Sequence, residues 1–155
     1  MLLKLKNKEY LIIDEFKFKC SIGKKGLKLK KKEGDNCTPR GVFKIGKVYY
    51  RPDRIKKLDT ILKTKAITKN MGWCDDPYNK NYNKEIILNK KNKGEKLFRK
   101  DNVYDILIII EYNTKKTQPF KGSAIFIHLT KNYSQTKGCI ALKKNDLLIL
   151  LKIIH

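Results

Sequence analysis

Tyr104-Asp-Ile-Leu-Ile-Ile-Ile-Glu-Tyr112 is the stretch on which the fold turns. Tyr104 to Tyr112 reads as a strand buried on both faces, and its longest apolar run, Ile106 to Ile110, falls far short of the ~20 residues needed to cross a bilayer. Downstream, Ser123 to Thr130 is a second strand, whose alternation puts Ala124, Phe126 and His128 on one face and Ile125, Ile127 and Leu129 on the other. A helix follows from an N-cap near Asn145, with Asp146 in its first turn and Leu147, Leu148, Leu150, Leu151 and Ile154 along it. Upstream, alternation from Leu2, then Tyr10 to Ile13, then Glu15 to Cys20, predicts short strands. Gly23 to Gly26, Glu33-Gly-Asp-Asn36 and Thr38-Pro39-Arg40-Gly41 read as turns, Leu27 and Leu29 continue the alternation, and Val42, Phe43, Ile45 and Val48 to Tyr50 return to strand character. Met71 to Asn83, rich in Asp, Asn and Tyr, reads as a long surface loop. With no Gly/Ser/Pro linker, repeat or heptad pattern, residues 1–155 read as one continuous β-rich domain.

The chain has 155 residues, and 37 basic against 15 acidic side chains leave a formal charge of +22. Only Arg40, Arg51, Arg54 and Arg99 are arginine, whereas a reader of nucleic acid uses arginine for bidentate contacts to phosphate and guanine. A specific nucleic-acid partner is therefore not expected. The lysines spread from Lys4 to Lys152 with one cluster at Lys28, Lys30, Lys31 and Lys32, which describes a solvated surface attracted to polyanions or a specific anionic partner. Lys4, Lys6 and Lys8 interrupt any apolar core of a signal peptide, so no secretion signal is visible. Cys20, Cys37, Cys74 and Cys139 lack C-x-x-C spacing and only His128 and His155 could join them, too few ligands for a metal centre. Gly-rich nucleotide loops and the G-x-S-x-G elbow are missing, so no cofactor is expected.

What remains is the pair His128 and Cys139. The polar loop Lys131 to Lys137 can return the chain so that Cys139 comes beside the end of the His128 strand. A thiol must become a thiolate to attack a carbonyl, and an imidazole within ~3 Å can take its proton. Gly138, lacking a Cβ, lets a carbonyl oxygen approach the backbone N–H groups beside the thiol, as an oxyanion hole requires. The plain structural reading makes Cys139 a small buried hydrophobe and His128 a satisfied core side chain.

The ordered segments around the pair favour chemistry. Gly122-Ser-Ala-Ile-Phe-Ile-His128, followed by Tyr133-Ser-Gln-Thr-Lys-Gly-Cys-Ile-Ala-Leu142, resembles the catalytic motif of the L,D-transpeptidase (YkuD-type) family. Gly34-Asp35 with Thr38-Pro39-Arg40-Gly41, Gly72-Trp73-Cys74-Asp75-Asp76-Pro77 with Tyr82-Asn83, and Leu97-Phe98-Arg99 leading to Tyr104-Asp105 fit the same resemblance, which spans roughly Cys20 to Leu150. Many members carry His where this chain has Lys137, so that side chain is not expected to be essential.

The resemblance implies a mostly β, sandwich or barrel-like catalytic domain with a short C-terminal helix. It implies that Cys139 forms a thioester with a peptidoglycan stem peptide, that His128 is the general base, and that N–H groups around Gly138 and Cys139 hold the oxyanion. An amine of a neighbouring stem, or water, then takes the acyl group. The partners implied are stem peptides and the anionic cell-wall polymer, met by a monomer in the periplasm or envelope; a non-catalytic, cationic polyanion-binding domain on the same fold is the alternative. Around the centre, Thr136 braces the loop or lines the donor site. Trp73, Asp75, Asp76 and Tyr82 contact a peptide or form a Pro77 turn. Arg99 pairs with a substrate carboxylate or with Asp101 or Asp105, and Ser123 serves strand-end backbone or substrate.

Overall fold

Thirteen strands and one helix lie along residues 2–29 and 32–155, the parts of the chain that the computed structural model describes; Lys30 and Lys31 of the lysine cluster lie outside them. In chain order they are β1 (Lys4–Lys6), β2 (Tyr10–Ile13), β3 (Phe16–Ser21), β4 (Leu27–Lys28), β5 (Thr38–Pro39), β6 (Ile45–Tyr50) and β7 (Thr64–Ala66). There follow β8 (Met71–Trp73), β9 (Glu85–Ile87), β10 (Glu95–Lys96), β11 (Ile106–Ile110), β12 (Phe126–Leu129), β13 (Ile140–Leu142) and α1 (Lys144–Ile153). Eight strands join one sheet in the order β1-β2-β3-β13-β12-β11-β6-β7. Its pairs are antiparallel except β12 with β13 and β6 with β7. A small sheet, β10-β8-β9, and a parallel pair, β4 with β5, complete the strands. The fold is mostly β with one short C-terminal helix, as the sequence implies.

The apolar run of β11 is buried at every residue because each of its faces has its own cover. Ile106, Ile108 and Ile110 point into a core shared with Ile125, Ile127, Leu142 and the helix residues Leu147, Leu150 and Leu151. Leu107 and Ile109 point the other way, against Met71, Trp73, Tyr49 and Phe126. The large sheet is thus a middle layer, with α1 on one side and the small sheet on the other. Leu147, Leu150 and Leu151, spaced as one helical stripe, are fully buried. Removing each from water contributes about 2–3 kcal/mol.

Four expectations need correction. Met71–Trp73 is a buried strand at the centre of the small sheet, its backbone satisfied by Ile86 and Glu95 neighbours distant in sequence, and only the segment beyond it is loop. Thr38–Pro39 pairs in parallel with Leu27–Lys28, so the expected turn starts later. Val42 and Phe43 precede β6, because Phe43 folds back edge-on to Tyr112 with ring centroids 5.4 Å apart. The helix is entered from Lys143, without a side-chain cap, and Asn145 lies inside its first turn. The Leu142 carbonyl accepts the Thr130 N–H at 2.7 Å, so the chain leaves β13 and turns at once into the helix.

Candidate functional site

Cys139 reaches its place through the parallel pairing of β12 with β13. Ile127 pairs with Ile140 and His128 with Ala141, so Cys139 comes beside Phe126, on the face that carries Ala124, Phe126 and His128. Two residues of strand separate the Phe126 and His128 positions, so the imidazole stands diagonal to the thiol on the same face. Both side chains line one cavity of about 700 Å³. The thiol donates to the Ala124 carbonyl at 3.2 Å and accepts the Phe126 N–H at 3.4 Å. Ala124 holds a left-handed φ of +52°, unusual for a residue with a Cβ. Asn83 helps to keep it there. Buried itself, Asn83 accepts the Ala124 N–H at 3.0 Å and the Trp73 indole N–H at 2.9 Å on one oxygen, and donates to the carbonyls of Tyr112 and Asn113.

His128 is 7% exposed, and its Nδ1 lies 2.8 Å from the Leu129 carbonyl. A carbonyl brings no hydrogen, so Nδ1 carries the proton and Nε2 keeps a lone pair. Burial pushes the imidazole down to about 4, so the ring is neutral at physiological pH. The Tyr104 ring meets it edge-on at 5.3 Å, and the Tyr104 hydroxyl donates to Glu95. Glu95 lines the same cavity, and burial pushes its carboxyl upward despite that bond. Arg99 clamps Asp101 with two bonds, at 2.8 and 2.6 Å, and lies over the Tyr104 ring.

The turn before the thiol is held from below. Gly23 N–H donates to the Thr38 hydroxyl at 2.9 Å, and that hydroxyl donates to the Gly138 carbonyl at 2.9 Å. Gly138 has φ +147°, and a Cβ there would sit 2.8 Å from the Cys37 carbonyl oxygen, so only glycine fits. Its N–H is given to the Thr136 hydroxyl at 3.1 Å, and that hydroxyl donates to the Cys139 carbonyl at 2.6 Å. Thr136 is accordingly a brace at the rim of the cavity, and the Gly138 N–H expected at the oxyanion is engaged within the loop.

Among the other residues singled out in the sequence, Asp75, Arg99, Ser123 and Thr136 line the cavity with Cys139 and His128. Arg99 takes the internal pairing with Asp101. Trp73 does not line it: the indole is buried behind Phe126, ring centroids 5.3 Å apart and edge-on. Tyr82 is also buried; its hydroxyl donates to Glu33 and accepts the Gly122 N–H at 2.9 Å. Asp76 stands outside, its carboxylate accepting the Tyr78 N–H at 3.0 Å. Ser123 donates to Glu33 at 2.8 Å. Glu33, Glu95 and Tyr104 were not expected at the site. Only Tyr104 left a signal, as the residue that begins the β11 stretch; Glu33 arrives from a turn whose partners lie far along the chain, and Glu95 from β10, a two-residue edge strand of the small sheet.

In this mostly β domain the large sheet carries a buried cysteine and a buried, neutral histidine that line one cavity. The family model of the YkuD L,D-transpeptidase catalytic domain matches residues 4–155, and the chain belongs to that family. No curated protein and no solved structure matched the chain. Membership implies L,D-transpeptidase activity, cell-wall chemistry and peptidoglycan substrates. No helix of the described residues is long and apolar enough to cross a membrane.

Proposed function

We propose that residues 1–155 act as one catalytic domain in the cell envelope, in which Cys139 attacks the carbonyl on the L-side of an L,D peptide bond in a peptidoglycan stem. The observation that carries this reading is the parallel β12–β13 register, which puts Cys139 and His128 on one face and in one cavity. In the first half-reaction Nε2 of His128 takes the thiol proton as the sulfur–carbon bond forms. The tetrahedral intermediate then collapses, the C–N bond breaks, and the imidazolium returns the proton to the departing D-amino acid. In the second, an amine from a neighbouring stem attacks the thioester, gives its proton to Nε2, and restores the thiol; with water in its place the stem is trimmed. Leu129 serves throughout by accepting from Nδ1, which fixes the tautomer and supports the charge on the ring.

The test is incubation with purified muropeptides followed by mass spectrometry. Cross-linked dimers or trimmed stems are expected from the parent protein, and neither from Cys139→Ala; His128→Ala should lose several orders of magnitude while remaining folded. An acyl adduct on the intact protein should map to Cys139. Products undiminished by Cys139→Ala would refute the mechanism, and no product from a folded parent would favour the polyanion-binding domain.

A further inference from the structure

On the side of the large sheet away from Cys139 lies a second groove, of about 820 Å³, between the β1–β2 hairpin, residues 38–45 and the C-terminal Ile154 and His155. Its floor is aliphatic, including Ile110, Ile125, Ile127 and Ile140, the side chains of the helix-facing core. Among the described residues no acidic side chain lines it, whereas Lys4, Arg40 and Lys44 stand exposed along it. Apolar side chains also project along its edge: Leu2 is 55% exposed and Val42 87%. The backbone builds the last of these. Gly41 at φ +155° lets the Phe43 ring fold inward, where a Cβ on Gly41 would meet it at 2.7 Å, and Val42 between them is left pointing outward.

We propose that this face docks on an anionic lipid bilayer, with Leu2 and Val42 entering the acyl boundary and Lys4, Arg40 and Lys44 at the headgroups. Exposed aliphatic residues ringed by cations fit a surface that is itself apolar beneath and negative above. A soluble polyanion would satisfy the cations and leave the aliphatic side chains in water. A second copy would bring another +22 charge against this one. Docked this way, the cavity holding Cys139, on the opposite face of the sheet, opens away from the membrane. The inference does not depend on the acyl-transfer reading.

Co-sedimentation with sucrose-loaded vesicles of phosphatidylcholine, with and without phosphatidylglycerol, tests it. Binding is expected only with phosphatidylglycerol. Val42→Asn and Leu2→Asn, which leave the charge unchanged, should each weaken it about tenfold. Arg40→Gln and Lys44→Gln should each weaken it about fivefold. Lys90→Gln and Lys91→Gln, exposed in the connection from β9 to β10, should change it by less than twofold. These are surface substitutions, and unchanged circular dichroism melts will show each variant folded. Asparagine variants that bind like the parent, or Lys90 and Lys91 variants that weaken binding as much as those at Arg40 and Lys44, would overturn the docking face in favour of diffuse charge. Failure to bind vesicles, together with a dimer in velocity sedimentation that Val42→Asn dissolves, would overturn it in favour of a second copy.

Discussion

Acidification should cost this protein stability through one side chain, His128. Its folded-state value is near 4 against an ordinary 6.5, because burial disfavours the charged ring. The folded state therefore binds fewer protons than the unfolded chain between these values. Stability is fully present above pH 6.5 and falls as the pH drops toward 4, below which this contribution is flat. Between pH 7.5 and pH 5 the unfolded imidazole becomes almost fully protonated while the folded one stays mostly neutral, a loss of about 2 kcal/mol. Asp75 and Glu95, whose carboxyls are pushed up by burial, act in the opposite sense as they gain protons. Urea unfolding of the parent and of His128→Gln across that range cancels their effect, since both proteins carry them. The stability difference between the two proteins should shrink or invert by about 2 kcal/mol from pH 7.5 to pH 5. Parallel curves would refute the buried, neutral imidazole and with it the resting proton assignment used for the first half-reaction.

Other perturbations separate scaffold from site. Thr136→Val removes the acceptor for the Gly138 N–H and the donor to the Cys139 carbonyl; thioester formation with a donor stem peptide, followed by intact mass, should slow at least tenfold in a folded protein. Glu33→Ala leaves the Tyr82 and Ser123 hydroxyls without their shared acceptor and should lower stability by about 1–3 kcal/mol in urea unfolding, with a raised KM. Leu107→Ala, under the site and fully buried, should cost about 2–5 kcal/mol, read as a fall in Tm. Lys137→Ala should keep most of the turnover, because that side chain is exposed beside the buried turn.

The readable parts of the sequence were those whose reasons are local. Tyr10 to Ile13 matches β2, and Ile106 to Ile110 forms β11, because a run of alternating or continuous apolar residues needs only its own backbone geometry to declare itself. The two faces of residues 124–129 also separate as alternation requires, and that placed His128 on the face of Phe126. Met71-Gly-Trp73 gives no such signal: three residues buried on every side have no period, and the Asp and Asn residues after them dominate the local composition. Its strand exists because Glu85–Ile87 and Glu95–Lys96 flank it. Glu33 was hidden for a similar reason. Within the sequence it is a turn residue, and it joins the cavity through Tyr82 and Ser123, far along the chain. Asn145 has the chemistry of a cap, yet the helix starts from Lys143 so that the Leu147, Leu150 and Leu151 stripe meets the sheet.

The position of β13 also bears on how the chain comes to be folded at all. Nearly last in sequence, it lies in the sheet between β3 and β12, and among the described residues no other strand bridges the N-terminal hairpins to the central β12-β11-β6-β7 block. Until Ile140–Leu142 leaves the ribosome, β3 and β12 each present an unpaired edge, on strands rich in Phe and Ile. Each edge can recruit a strand from another nascent chain as readily as its own. The same insertion makes the Cys139 turn and its Thr38 support among the last contacts to form, since they join residues 100 apart. A chain stopped short of residue 140 would hold two half-sheets and no cavity. The cost of building the nucleophile's turn from both ends of the sequence is therefore a long interval in which the domain must be kept from aggregating.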